Sequence, residues 1–240
     1  MKKIRIFQLF VLAAVFSSHG CIVNYAQTIH GNGNVVTTER KVEPFDKLRV
    51  STGIDVYITQ GDAETLEVEA DENLHEVILT EVSEGTLRIW TEYNIRDAEA
   101  KKIHLGYREL SSIRISSAGD VYGTNRMQAE DLRLGLSSAG DLKLEVDAGS
   151  IDINISSSGD ADLSGRTDVL DASLSSAGDL DAFDLEAKIC KVRVSSAGSA
   201  RVYATEELDL SSSSAGNIYY KGDAKITHMS TSSAGRIVKR

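Results

Sequence analysis

Four aspartates, Asp120, Asp141, Asp160 and Asp179, each follow a glycine in a recurring string that reads SSAGD or SSSGD, and the same place in later copies holds Ser199, Asn217 and Arg236. Carboxylates repeated at a fixed interval have three uses. They bond the backbone of their own turns, as Asp does after Gly. They can share a calcium ion, which takes oxygen ligands. With a Lys or Arg as base, they could cleave an acidic polysaccharide by lyase or hydrolase chemistry. The turn role is expected first, and weak calcium binding by adjacent carboxylates is the metal reading. Unit charges about 4.8 Å apart repel by only ~0.9 kcal/mol per pair in water, so a short file is tolerable without an ion.

The rest of the chain offers little chemistry. His19, His30, His75, His104 and His228 are not at metal-ligand spacing, and no HExxH, CxxC or GxSxG string occurs. "GNGN" (31–34) lacks the lysine and helix of a phosphate loop and reads as a turn. No catalytic residues are expected, and no cofactor other than calcium. Tyr57, Tyr107, Tyr122, Tyr203, Tyr219, Tyr220 and Trp90 are too sparse for an aromatic platform, although Tyr57 and Tyr122 share a register and could stack.

The chain carries a net charge of −10, and removing residues 1–20 takes away Lys2, Lys3 and Arg5 to leave −13. With no run of Lys or Arg, nucleic acid is not an expected partner. A surface protein or a glycan of unidentified kind is.

Lys2, Lys3 and Arg5 precede an apolar stretch (6–16) that is too short to span a membrane and reads as a secretory signal, residues 1–20. "SSHGC" approximates a lipobox, so Cys21 is the expected lipidation site and the membrane a partner through that lipid; cleavage after Gly20 or Ala26 without lipid is the alternative. The expected location is the cell envelope, as an outer-membrane lipoprotein facing the periplasm or the exterior, with 21–30 as a tether. Cys190 is then left unpaired, and its parity with Val192 and Val194 marks it as a buried thiol.

The residues of the aspartate file must be positioned by what surrounds them. The glycines of the seven copies are Gly119, Gly140, Gly159, Gly178, Gly198, Gly216 and Gly235, separated by 18 to 21 residues. A period near twenty signals a solenoid. Between copies, "LRLGL", "LKLEV", "IDINI" and "KVRV" alternate with the two-residue period of strands. The fold expected is all-β: a parallel β-helix, right-handed because these steps break the six-residue rule of left-handed forms. Its regular part covers 111–240. One coil buries five or six apolar side chains at ~1.5–3 kcal/mol each, while ordering twenty backbones costs about 20–40 kcal/mol. The coils can therefore stand only as a stack. The motif is read as its corner, with Gly supplying positive φ and the serine hydroxyls bonding along their column. The last copy lies close to the C-terminus, which raises self-association through coil ends, although Lys239 and Arg240 oppose it.

Residues 31–110 read as irregular coils or as an N-terminal cap. "VSTGIDVYI" (50–58) aligns with "ISSAGDVYG" (115–123), placing Asp55 over Asp120 and Tyr57 over Tyr122. Strands are expected at 65–70 and 85–92, with one helical turn between them capped by Asp71.

"GNGNVVTTERKVEPFDKLRVSTGIDVYITQGD" (31–62), "LEVEADENL" (66–74), "GTLRIWTEYNIR" (85–96) and the Ser-Ser-Ala-Gly-Asp ladder resemble the auto-transporter adhesin head GIN domain family of exported proteins and lipoproteins of Bacteroidetes. The resemblance implies a stacked-coil fold and a non-enzymatic adhesin-like or scaffolding role at the cell surface, and it supplies no catalytic residues.

Overall fold

The computed structural model describes residues 27–240. Cys21 and the signal lie outside the described residues. The chain forms a β-solenoid of about seven turns with coils of about 19 residues. A 17-stranded sheet holds nearly all of it, and Thr28–His30 pairs separately with Asn94–Arg96.

Like lies on like from Ser112 onward. Met127–Leu136, Asp141–Ile155, Asp160–Leu174, Asp179–Val194 and Ser199–Ser212 run parallel, each on the next. The corners lock this register directly: from Gly159 onward the amide after the motif glycine donates to the glycine carbonyl one coil earlier, as in Asp160 to Gly140 (3.2 Å), Asp179 to Gly159 (3.0 Å) and Asn217 to Gly198 (2.9 Å). Recurring letters thus become vertical files. One inward file runs Val56, Val121, Leu142, Ala161, Leu180, Ala200 and Ile218, all buried. Each of those residues is apolar because the pleat turns every second side chain into the bore. Cys190 occupies another inward file, fully buried and unpaired.

The front half is partly coil and partly cap. Lys47–Ser51 and Asp55–Gln60 stack parallel on Ser112–Ser116 and Asp120–Gly123, and the register sets Asp55 beside Asp120 and Tyr57 beside Tyr122, as the alignment requires. Beneath them lie Thr86–Trp90 and Lys101–Tyr107. Stacking order therefore departs from chain order, since residues 86–107 form a layer outside residues 47–60. Antiparallel strands close this end: Val35–Arg40 on Thr65–Asp71, Thr65–Asp71 on Lys101–Tyr107, and Leu79–Ser83 on Thr86–Trp90. Reversed pairing there leaves no aligned edge to continue the parallel stack.

The expected helical turn is a short 3-10 segment, Glu72–Leu74, but Asp71 does not cap it with its side chain. The Asp71 carboxylate accepts instead from the amides of Gly33 (2.8 Å), Glu99 (3.0 Å) and Ala100 (3.0 Å), tying three distant segments together. Burial pushes its pKa up, yet the backbone donors outweigh burial and hold it below the usual carboxylate value.

Candidate functional site

The repeated corner differs from its expected chemistry in two respects. None of the motif glycines has positive φ. The second serine of each copy does, as in Ser117 (57°), Ser176 (62°) and Ser196 (65°), joined in several copies by the following alanine. Glycine is needed for space instead: a β-carbon on Gly140 would lie 2.6 Å from Ile115 Cγ2, and one on Gly198 2.8 Å from the Gly178 carbonyl. Nor do the first serines bond one another. Ser137, Ser156 and Ser195 donate through Oγ to carbonyls of the preceding coil, at 3.4, 3.4 and 3.3 Å. The corner hydroxyls are thereby tied to main chain and keep their lone pairs outward.

The corner sets the aspartate file. Asp120, Asp141, Asp160 and Asp179 occupy successive layers, and Asp55 extends the file to five carboxylates. Lys102 adjoins Asp55 at one end; beyond Asp179 come Ser199, Asn217 and Arg236. Asp55 was visible in the aligned front copy, but a file defined by the Gly-Asp pair omits it because Ile54 replaces the glycine. Burial first, and then the neighbouring carboxylates, raise the pKa of Asp55, Asp141 and Asp160 above the ordinary value. Tyr122 Oη donates to Asp120 at 3.2 Å, and the Asp141 amide reaches Asp120 at 3.3 Å. Among the described residues, no three His, Cys, Asp or Glu side chains form a group able to hold a metal ion. The carboxylates stand in a line, one per layer.

Two residues further along each strand runs a file of different character. His104, Tyr57 and Tyr122 stack in consecutive layers, with centroids 5.5 and 5.3 Å apart. Their ring faces are spent on one another, so they present edges and not a platform to solvent. Lys143 and Asp162 then pair at 3.0 Å, and Asp181 and Arg201 at 2.9 Å. Opposite charges in adjacent layers neutralise this file, whereas the aspartate file has none to draw on between Asp120 and Asp179.

On another face the coil stack is grooved beside the corner. A cavity of about 470 Å³ lies between a row that includes Ser173, Arg193 and Ser211 and the motif serines Ser175, Ser195 and Ser213. A second, of about 270 Å³, is lined by Arg49, Arg114, Gly135 and Ser137, and shares Asn154 and Ser156 with the first. The two form one trough along the axis. The repeat predicts its serines, but its width comes from the concave corner, which no single coil contains. The aspartate file does not line either cavity.

Solved structures share this architecture. A "putative lipid binding protein" from Parabacteroides distasonis is 26% identical, with a TM-score of 0.74 over 89% of this chain and 100% of its own. A "putative adhesin" from Bacteroides fragilis is 23% identical, with a TM-score of 0.79 over 88% and 99%. Another from Parabacteroides merdae is 19% identical, with a TM-score of 0.74 over 90% and 100%. No curated protein matches. The family model described as "Putative auto-transporter adhesin, head GIN domain" matches residues 44–224, and the chain belongs to that family.

Proposed function

We propose that this is a non-enzymatic, adhesin-like protein of the cell envelope that presents a rigid rod for contact with surface proteins or glycans. It is exported by the signal in residues 1–20 and held to the membrane by lipid on Cys21. The observation that carries the reading is the unbroken register of outward files from Asp55 to Arg236, which fixes side chains at layer spacing over a long, stiff face. Rigid presentation of many weak contacts lowers the ordering cost of binding an extended partner. Membership of a family described as adhesins supports it. Among the described residues no helix is long and apolar enough to cross a membrane.

Two features weigh against a polysaccharide lyase. The aspartates lie off the trough, and among the described residues no Lys or Arg pairs with Asp120, Asp141, Asp160 or Asp179 to act as a base beside them. One relative carries a lipid-binding label; among the described residues the inward positions of this solenoid are occupied by buried apolar side chains.

The test is an array of host and envelope glycans and proteins probed with the purified protein, together with adherence of cells that carry or lack it. Saturable binding and lost adherence are expected. Turnover of an acidic polysaccharide, abolished by Asp141→Ala, would replace this reading with an enzymatic one.

A further inference from the structure

We propose that the arginine end of the trough binds a linear polyanionic glycan, one bearing uronate carboxylates or sulfates along its length. The proposal rests on the adhesin-like reading and names its ligand class and its face.

Arg88, Arg49 and Arg114, far apart along the chain, stand in register on three consecutive layers, all exposed. The Arg88 guanidinium lies 4.7 Å from the Trp90 ring centroid. Among the described residues no carboxylate comes within ion-pairing distance of these three, whereas Arg126, Arg193 and Arg201 each meet an acid one layer away. Glu81 is the cross-strand partner of Arg88, so Arg49 and Arg114 are the members of the file with no acid in register, and in a chain of net charge −10 they are a local reversal of sign. Like charges at layer spacing repel, and an anion laid across them relieves it.

The next position in the file is Gly135, and there the surface is hollow. The fold does not demand glycine at this point. Its φ is ordinary, and a β-carbon would meet only Arg114 Cγ at 3.6 Å, a normal contact. The missing side chain leaves room between the Arg114 and Asn154 rows. Asn154 donates to Asp152 at 2.9 Å and keeps its amide oxygen free to accept. Ser137 and Ser156, already donating to main chain, also present acceptor lone pairs. Guanidinium forks suit carboxylate and sulfate, and hydroxyl and amide oxygens suit sugar hydroxyls. The trough then continues past Arg193 to Ser230, so the surface fits a chain and exceeds what a single small anion needs.

Other polyanions fit less well. Nucleic acid would want aromatic faces for its bases, and the trough contains none. A lipid surface would want an apolar rim, but among the described residues the exposed large apolar side chains are Val35, Ile226 and Met229, none of which lines the trough.

The experiment measures binding of the mature protein to polygalacturonate, to a sulfated glycan, to neutral dextran, to phosphatidylglycerol vesicles and to single-stranded DNA. Saturable, salt-sensitive binding to one or both anionic glycans, without binding to dextran, is expected. Arg49→Ser with Arg114→Ser should weaken it by about tenfold or more. Gly135→Glu, which places a carboxylate in the hollow, should do the same, and Arg236→Ser at the far end of the aspartate file should not. Thermal melts identify any variant that fails to fold, and Gly135→Glu and the arginine pair are independent of each other. Absence of anionic-glycan binding, equal binding by the variants, or preference for vesicles or DNA would overturn the proposal. A neutral glycan or a protein captured on the array with these variants unaffected would sink this inference and leave the adhesin-like reading standing.

Discussion

The Cγ2 methyl of Ile155 stands 2.5 Å from where a β-carbon on Gly178 would be, one coil above it. That contact makes the motif glycine a requirement of packing, while Ser176 carries the left-handed backbone at φ 62°. Gly178→Ala should therefore cost about 1–3 kcal/mol through overpacking. Ser176→Gly should be neutral or stabilising by up to about 1 kcal/mol, since relief of a left-handed L-residue outweighs the entropy that glycine adds to the unfolded chain. Denaturant titration of both variants checks the pair. A neutral Gly178→Ala would show that the corner relaxes around the methyl.

The aspartate file makes stability depend on pH in a definite direction. Asp55, Asp141 and Asp160 have folded-state pKa values raised by burial and then by neighbouring carboxylates. Their contribution is fully present below the ordinary carboxylate pKa and is lost as pH rises through the raised folded value. Acidification from pH 7 toward about 4 should thus raise the melting temperature. Asp141→Asn with Asp160→Asn should stabilise the protein at pH 7 by a few tenths to about 1 kcal/mol and flatten that acid limb. Both residues are solvent-facing with their carboxylates only partly buried, so added salt should reproduce part of the gain. A double variant less stable than wild type at pH 7 would mean that the carboxylates bond their turns more strongly than they repel.

Asp71 acts in the opposite sense. Its backbone donors hold its pKa below the usual value against burial, so its contribution is present above the ordinary carboxylate pKa and is lost as pH falls through the depressed one. Asp71→Ala would strand the amides of Gly33, Glu99 and Ala100 and should cost about 3 kcal/mol or more. Hydrogen exchange would locate the loss: those amides, and the cap strands around them, should open before the regular coils.

Cys190 should be inert in the folded protein. It is fully buried, and burial pushes its thiol pKa up to about 12, so almost no thiolate exists at neutral pH. A disulfide reagent should label it only at the rate at which the protein unfolds. Fast native labelling at Cys190 would place it at a breathing seam between coils.

In the regular half nearly everything was legible in the sequence. The seven corners, the strand parity, the burial of Cys190 and the register of Asp120 through Arg236 follow from one period. The front copy was legible too, since Asp55 and Tyr57 lie beside Asp120 and Tyr122. The function of the glycine was not. A recurring glycine looks the same in sequence whether it serves a left-handed turn or a crowded one, and only the approach of Ile115 to Gly140, or of Ile155 to Gly178, separates the two.

What the sequence by itself determined is the set of neighbours one period apart, because in a parallel stack a fixed offset along the chain is also a fixed step along the axis. What only the tertiary structure decided is everything at the reversal. Thr86–Trp90 lies outside Lys47–Ser51, Asp71 gathers three amides from two distant segments, and Arg88, Arg49 and Arg114 meet in one file. There the chain folds back on itself, and partners are chosen by which exposed edges and buried donors remain to be satisfied, a choice that depends on the whole assembled end and that no local run of residues encodes.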